Sequence, residues 1–191
     1  METKVNYMNF KKTIPDSPVI FLAGPIKNAP EWREEMINIF LEKNKKVFIA
    51  SPEENIEQLK KDIANNAHIR VPNANEFGCR PCKIFSRRRA WEQYYLNFAA
   101  REKGCIIFWL PGEKLKKEDE NKIYAHITML ELGEWIARKA IDPDINLIIG
   151  TDGHFPQWST IEYEINTEIQ DIKIFYSMRE VVDEAIKAIN K

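Results

Sequence analysis

Two glutamates in this chain stand where a carboxylate can do chemistry. Thr128-Met-Leu-Glu131 matches the capping box [ST]xx[DE]. It predicts Thr128 as a helix N-cap, with Glu131 reaching back to the cap amide. A helix N-terminus also keeps a carboxylate ionised, because free N–H groups and the macrodipole favour negative charge. An ionised, oriented carboxylate beside a ligand cleft is what a covalent nucleophile for glycosyl transfer needs. The cap and the nucleophile compete for the same oxygens.

The second carboxylate is Glu92 in SRRRAWEQYYL. At helical spacing it pairs with Arg88 or Arg89 as a surface ion pair worth ~0.3–0.5 kcal/mol. Alternatively it faces a cleft as a second acid, beside the aromatics Trp91, Tyr94 and Tyr95. These rings, with Trp109, suit stacking on a base, although aromatics at i, i+3, i+4 also suit a core. Asp152, His126 and His154 complete the polar residues near the same predicted loops.

AGPIKNAPEWR places Gly24-Pro25 at a strand-ending turn, and a helix is expected to begin near Ala29-Pro30. Gly24 lets backbone approach a ligand, and the free N–H groups of the helix can receive an anion or a sugar oxygen. Lys27 and Arg33 add positive charge. The stretch is neither a GxGxxG fingerprint nor a Walker A loop, so dinucleotide or triphosphate binding draws no support from it.

The elements that must position these residues alternate between strand and helix. Val19–Ala23, Lys45–Ala50, Cys105–Leu110, Asn146–Ile149 and 172–176 read as five short apolar strands. Helices are predicted over 30–43, 53–66, 86–103, from the capping box to about Lys139, over 159–168 and over 178–190, with irregular chain at 67–85. Ser51-Pro52, Pro111-Gly112 and Gly150 read as strand stops. Repeated βα alternation predicts an α/β fold: a flavodoxin-like, five-stranded parallel sheet in the order 2-1-3-4-5, with helices on both faces. Ligands of such sheets sit beyond the C-terminal strand ends, near the switch between strands one and three. Residues 1–17 read as a tail and 18–191 as a single domain.

The chain has 191 residues, 44% of them hydrophobic, and a net charge of −1, which gives no general attraction to a nucleic acid polymer or a membrane. No apolar run is long enough to span a bilayer. The first 17 residues carry no apolar core or cleavage site of a secretory signal, and three cysteines do not form a disulfide framework. Both point to the cytoplasm. Cys79-Arg-Pro-Cys82 has CxxC spacing, but no strand precedes it, and His68 alone is a poor second half of a zinc site. No metal and no cofactor are expected.

VIFLAGPI, the following WR, WExxYL, IIFWLP and TMLELGEW occur in that order over roughly residues 18–150. The ordered set resembles the nucleoside 2-deoxyribosyltransferase-like family, whose members are flavodoxin-like and whose enzymes attack the anomeric carbon of a 2′-deoxynucleoside with a glutamate in an ELG-type motif. The resemblance implies that Glu131 is the nucleophile, that Glu92 is the cleft acid and that Gly24-Pro25 is the substrate turn. Members often carry an aspartate after the WE helix; here Ala99-Ala100-Arg101 stands in that place, so no acid beyond Glu92 is implied. Lys27, Arg33, Trp91, Trp109, Thr128 and Asp152 are the remaining expected substrate contacts. The implied partners are a small nucleoside or nucleotide and further copies of the chain in a homo-oligomer.

The implied reaction is transfer of deoxyribose from one base to another through a deoxyribosyl-glutamate ester. Hydrolysis of a 2′-deoxynucleoside 5′-monophosphate is the nearest rival, with Lys27, Arg33 and Arg87–Arg89 as phosphate receivers. A non-catalytic nucleotide-binding sensor, with Glu131 only a cap, is the rival from another class. Glycohydrolase action on a nicotinamide dinucleotide is a third.

Overall fold

The computed structural model describes residues 3–8, 14–54, 83–101, 104–114, 123–170 and 172–190. Strands β1 (Lys4–Met8), β2 (Val19–Ala23), β3 (Phe48–Glu54), β4 (Cys105–Leu110), β5 (Leu147–Thr151) and β6 (Ile174–Phe175) form one sheet. The helices described are α1 (Trp32–Glu42), α2 (Lys83–Arg101), α3 (His126–Ile141), α4 (Trp158–Glu168) and α5 (Met178–Ile189). The protein is thus α/β, and the sheet order is β1-β3-β2-β4-β5-β6 with every pairing parallel.

The sheet has six strands, not five. The extra strand comes from the segment read as a tail: Lys4, Val5 and Asn6 pair with Phe48, Ile49 and Ala50. Thr3 Oγ1 donates to the Lys45 carbonyl at 2.7 Å and Lys4 Nζ meets Asp16 at 2.9 Å, which tie the strand at its start. KVNYM is polar at two of its five positions, as an edge strand tolerates, so it carries no apolar run to announce it.

β3 also runs past Ser51-Pro52, where a stop was expected. Up to Ala50 it pairs with both β1 and β2; beyond that its partner is β1 alone, and the register jumps from Tyr7–Ser51 to Met8–Glu54. Proline lacks the N–H a ladder needs, and an irregular register beside an edge strand is where sheets accept it. Glu53 and Glu54 are therefore strand rather than the start of a helix; the rest of the helix expected over 53–66, the 67–82 stretch, Cys79, Cys82 and His68 lie outside the described residues. Residues 83–85 belong to α2.

The central strands bury every side chain, as a sheet covered on both faces requires. Alternation sends Phe21, Ala23, Ile106, Phe108 and Leu110 to a core shared with Trp91, Tyr95, Leu132, Trp135 and Ile165 of α2, α3 and α4. Ile20, Leu22, Cys105, Ile107 and Trp109 go to the other core, under Trp32, Met36 and Phe40 of α1 and Val181, Val182 and Ala185 of α5. Each buried aliphatic side chain contributes roughly 1.5–3 kcal/mol, which explains why these runs outweigh weaker local signals. No described helix is long and apolar enough to cross a membrane.

From β2 the chain steps outward to β3, which lies between β2 and the edge strand β1, and then returns to β4 on the other side of β2. That reversal makes the C-terminal ends of β2 and β4 the switch point at which open parallel sheets hold their ligands.

Candidate active site

The turn after β2 is built at this switch point. Gly24 has φ +146°, and a Cβ there would lie 2.4 Å from the Trp109 carbonyl oxygen and 2.7 Å from Trp32 Cζ2. Only glycine fits so close to a neighbouring strand in that conformation. Trp32 Nε1 and Arg33 Nη1 both donate to the Pro25 carbonyl, at 3.1 and 3.0 Å, and Arg33 Nη2 donates to the Gly24 carbonyl at 2.6 Å. The first turn of α1 thus grips the carbonyls of the turn that precedes it.

Arg33 was expected to offer charge to a ligand anion. Its side chain instead lies over the Trp32 ring, 4.1 Å from the centroid, and only 3% of the residue is exposed. Burial draws its pKa down to about 10, against the attraction of Glu53, Glu92, Glu131 and Tyr124. It remains a cation at neutral pH, but its forked face is committed to backbone. Lys27 is exposed on the same turn.

The other rim loops are tied to this one. Lys114 N donates to the Asn28 carbonyl at 2.6 Å, joining the loops after β2 and β4. Asp152 accepts from Gly112 N at 3.0 Å on each oxygen and from His154 N at 2.9 Å, joining the loops after β4 and β5. Asp152 thus braces the rim through its carboxylate. Tyr124 Oη donates to the Pro111 carbonyl at 3.0 Å, and its ring sits 5.6 Å from that of Phe155.

Anchoring Tyr124 changes how α3 begins. The helix starts at His126, with Ala125 in the left-handed region at φ 55° and no side-chain cap. The capping box is therefore not formed. Thr128 lies inside the first turn and is buried, and Glu131 lies a turn further on. A tertiary contact just before the helix outweighs a cap worth about 1 kcal/mol.

What holds Glu131 is Arg89. One guanidinium nitrogen, Nη1, donates to Glu92 Oε2 at 2.7 Å and also to Glu131 Oε1. The Arg89–Glu92 pair is the i, i+3 contact that the sequence suggests, but Glu131 is 42 positions from Arg89 and reaches it from another helix. All three side chains are shielded: 30% of Arg89, 16% of Glu92 and 17% of Glu131 remain exposed. Two carboxylates bonded to one nitrogen are at most two hydrogen bonds apart.

This crowding perturbs Glu92 and Arg89. Burial raises the pKa of Glu92, Arg89 pulls it back, and the neighbouring Glu131 charge pushes it up again. For Arg89, burial works against the charge, but hydrogen bonding and attraction from Glu131 and Glu92 prevail and raise its pKa. The result is a carboxyl with a raised pKa, Glu92, beside a second carboxyl group, Glu131, on the same permanent cation. A proton carrier beside a nucleophile or electrostatic stabiliser needs carboxyl groups arranged in this way.

The aromatic residues do not join this pair as expected. Trp91 is 1% exposed, its ring 6.3 Å from Phe21 and 4.6 Å from Tyr95, so it is core rather than a stacking platform. Tyr95 is fully buried against Phe48, and Tyr94 packs on Tyr95 and Phe98. The Trp109 side chain leaves β4 on the opposite face from Glu92 and Glu131. Its ring covers Gly150, where a Cβ would be 2.7 Å from Cε3. It also borders a cavity of about 650 Å³ between α1 and the start of α5, with Glu34, Glu35, Tyr176 and Arg179. Neither glutamate of the candidate site lines that cavity, so its size does not mark the chemistry. His126 and His154 are exposed at the rim.

Three participants escaped the sequence reading. Arg89 was visible as a partner of Glu92 and as one of the phosphate receivers Arg87–Arg89 but not as a link to Glu131, Glu53 fell in the helix expected over 53–66, and Tyr124 carried no assignment. Among the described residues, no group of three or more His, Cys, Asp and Glu side chains is placed to hold a metal ion. No model of a known protein family matches the chain, and a search of curated proteins finds no match to it.

Proposed function

We propose that the protein is a nucleoside 2-deoxyribosyltransferase of flavodoxin-like fold, with Glu131 as nucleophile and Glu92 as proton carrier. The observation that carries this reading is the convergence of both carboxylates on one nitrogen of Arg89 at the rim where β2 and β4 end. A Glu131 oxygen attacks C1′ of a 2′-deoxynucleoside as the C1′–N bond breaks. The electron pair leaves with the base nitrogen, which takes the proton of Glu92. A second base then attacks C1′ of the ester, the ester C–O bond breaks, and the Glu92 carboxylate removes the incoming proton. Configuration is retained after two inversions.

The spacing of the carboxylates supports two displacements over one. Inverting glycosidases hold theirs roughly 6.5–9.5 Å apart to admit a water, whereas retaining ones keep them at about 5–5.5 Å. Carboxylates sharing one hydrogen-bond donor fit the closer arrangement.

The commitment of cations favours a nucleoside over a 5′-monophosphate. Arg33 is buried on backbone carbonyls, and Arg89 lies between two carboxylates. Of the expected phosphate receivers whose side chains are described, that leaves exposed Lys27; Arg87 and Arg88 have side chains outside the description.

The test is incubation with deoxyinosine and adenine. Deoxyadenosine and hypoxanthine are the expected products, and the intact mass with nucleoside alone should rise by one deoxyribosyl group. If Glu131→Ala folds and retains activity, the nucleophile assignment fails. Free base and deoxyribose phosphate from deoxynucleotides in water would establish the hydrolase instead. No turnover of nucleosides, nucleotides or dinucleotides would count against the transferase and favour the binding module.

A further inference from the structure

We infer that Arg89 is a positioning residue that serves as one fixed counter-ion for a negative charge migrating between Glu131 and Glu92 during the two displacements. This inference rests on the proposed reaction for its catalytic meaning, but its electrostatic content belongs to the free protein.

A charge count gives the reason. Before attack, the proposed reaction requires Glu131 as carboxylate, Glu92 as neutral acid and Arg89 as cation, which sum to zero. When Glu131 becomes the ester, it loses its charge, and Glu92, having given its proton to the leaving base, has gained one. The sum is again zero. One cation bonded through the same Nη1 to both carboxylates compensates the charge at either end. It need not move, and a preorganised charge that requires no rearrangement is worth most in a shielded site.

The rest of the surroundings make Arg89 the pivot. Arg33 on α1 contributes a second positive field at Glu92 and Glu131, but its hydrogen bonds go to Gly24 and Pro25. Glu53 on β3 and Tyr124 before α3 act on Arg33. Among the described residues, Arg89 is the cation with direct contact to both acids. Glu92 is raised by burial and by Glu131 and held down by Arg89, so the two neighbours act on it in opposite directions.

Those opposite directions supply the test. The side-chain carboxyl carbons of the free protein, labelled with carbon-13, are titrated by NMR. Arg89→Gln should move the Glu92 titration upward by about one pH unit or more, because the proton is then shared by two uncompensated carboxylates. Glu131→Gln should move it downward. Arg89→Lys, which keeps the charge, should restore most of the original position, and Arg89→Met, which removes the charge but keeps an unbranched stem, serves as the test variant if Arg89→Gln does not fold. In turnover, Arg89→Gln should lower kcat roughly 10²-fold or more with little change in KM, since the counter-ion matters most as charge relocates. A Glu92 titration that is the same in all three variants overturns the inference. Loss of the proposed reaction itself would instead appear as absent turnover in the unsubstituted protein, with the titration shifts intact.

Discussion

Arg33 reaches back from the first turn of α1 to the Pro25 carbonyl, 3.0 Å away, and closes the turn at the end of β2 with a buried guanidinium. The same side chain holds the Gly24 carbonyl and lies on Trp32. Its charge is thereby used to shape the rim. Removing it takes the side-chain donor from the Gly24 carbonyl and leaves the Pro25 carbonyl to Trp32 Nε1 alone, so Arg33→Ala should cost about 1–3 kcal/mol. Urea denaturation measures this. A loss below about 0.5 kcal/mol, the scale of an ordinary surface change, would return Arg33 to the ligand-binding residues.

Gly24 should tolerate no side chain. Gly24→Ala places a Cβ against the Trp109 carbonyl and the Trp32 ring, at a φ that L residues disfavour. The expected cost is about 1–3 kcal/mol from strain alone, with further loss from displacement of the turn. Thermal unfolding reads the first and nucleoside turnover the second. An unchanged melting temperature would show that the rim is not held as closely as described.

Glu92 gives stability a pH dependence whose sign follows from its raised pKa. A carboxyl with a folded pKa above its unfolded value of about 4.3 binds protons more readily in the native state. Its contribution is complete below the unfolded pKa and is lost as pH rises through the folded one. Glu92→Gln removes that dependence. The difference in unfolding free energy between the two proteins should therefore move in favour of Glu92→Gln as pH is raised from 4 toward neutrality. A difference that is flat across this range, or of opposite slope, contradicts the shift.

Trp91 separates a core role from base stacking. If it is core, Trp91→Ala should destabilise by about 3–5 kcal/mol. Trp91→Phe should leave KM for a nucleoside within about twofold, because no substrate contact is removed. A large rise in KM for Trp91→Phe, with stability preserved, would place the indole in the site after all.

What was legible in the sequence was whatever depends on neighbours along the chain. VIFLA and CIIFWL announce buried parallel strands because both of their faces must be apolar, and VVDEAI announces α5 through its helical spacing. The Arg89–Glu92 pair is legible for the same reason, since i, i+3 residues meet on any helix. The edge strand Lys4–Met8 was not, because half of its surroundings are solvent and its residues need not be apolar. Pro52 misled for a related reason: an irregular register against an edge strand absorbs what an interior ladder would reject.

Only the tertiary structure decided what the two glutamates face. The motif around Thr128 described a local cap, yet Tyr124, held by Pro111 and Phe155, starts the helix earlier and frees Glu131 from that duty. Whether Glu131 then meets Arg89 depends on how α2 and α3 are set side by side on one face of the sheet. The side of the sheet that receives Trp109 depends on the register of β4 against β2 and β5. The sequence by itself determined the central apolar strands, the helices that cover them and the local Arg89–Glu92 pair. The meeting of Arg89 and Glu131 across 42 positions is a property of packing, because burial energy acts on whole faces and sets the helices in place before any single ion pair has a partner.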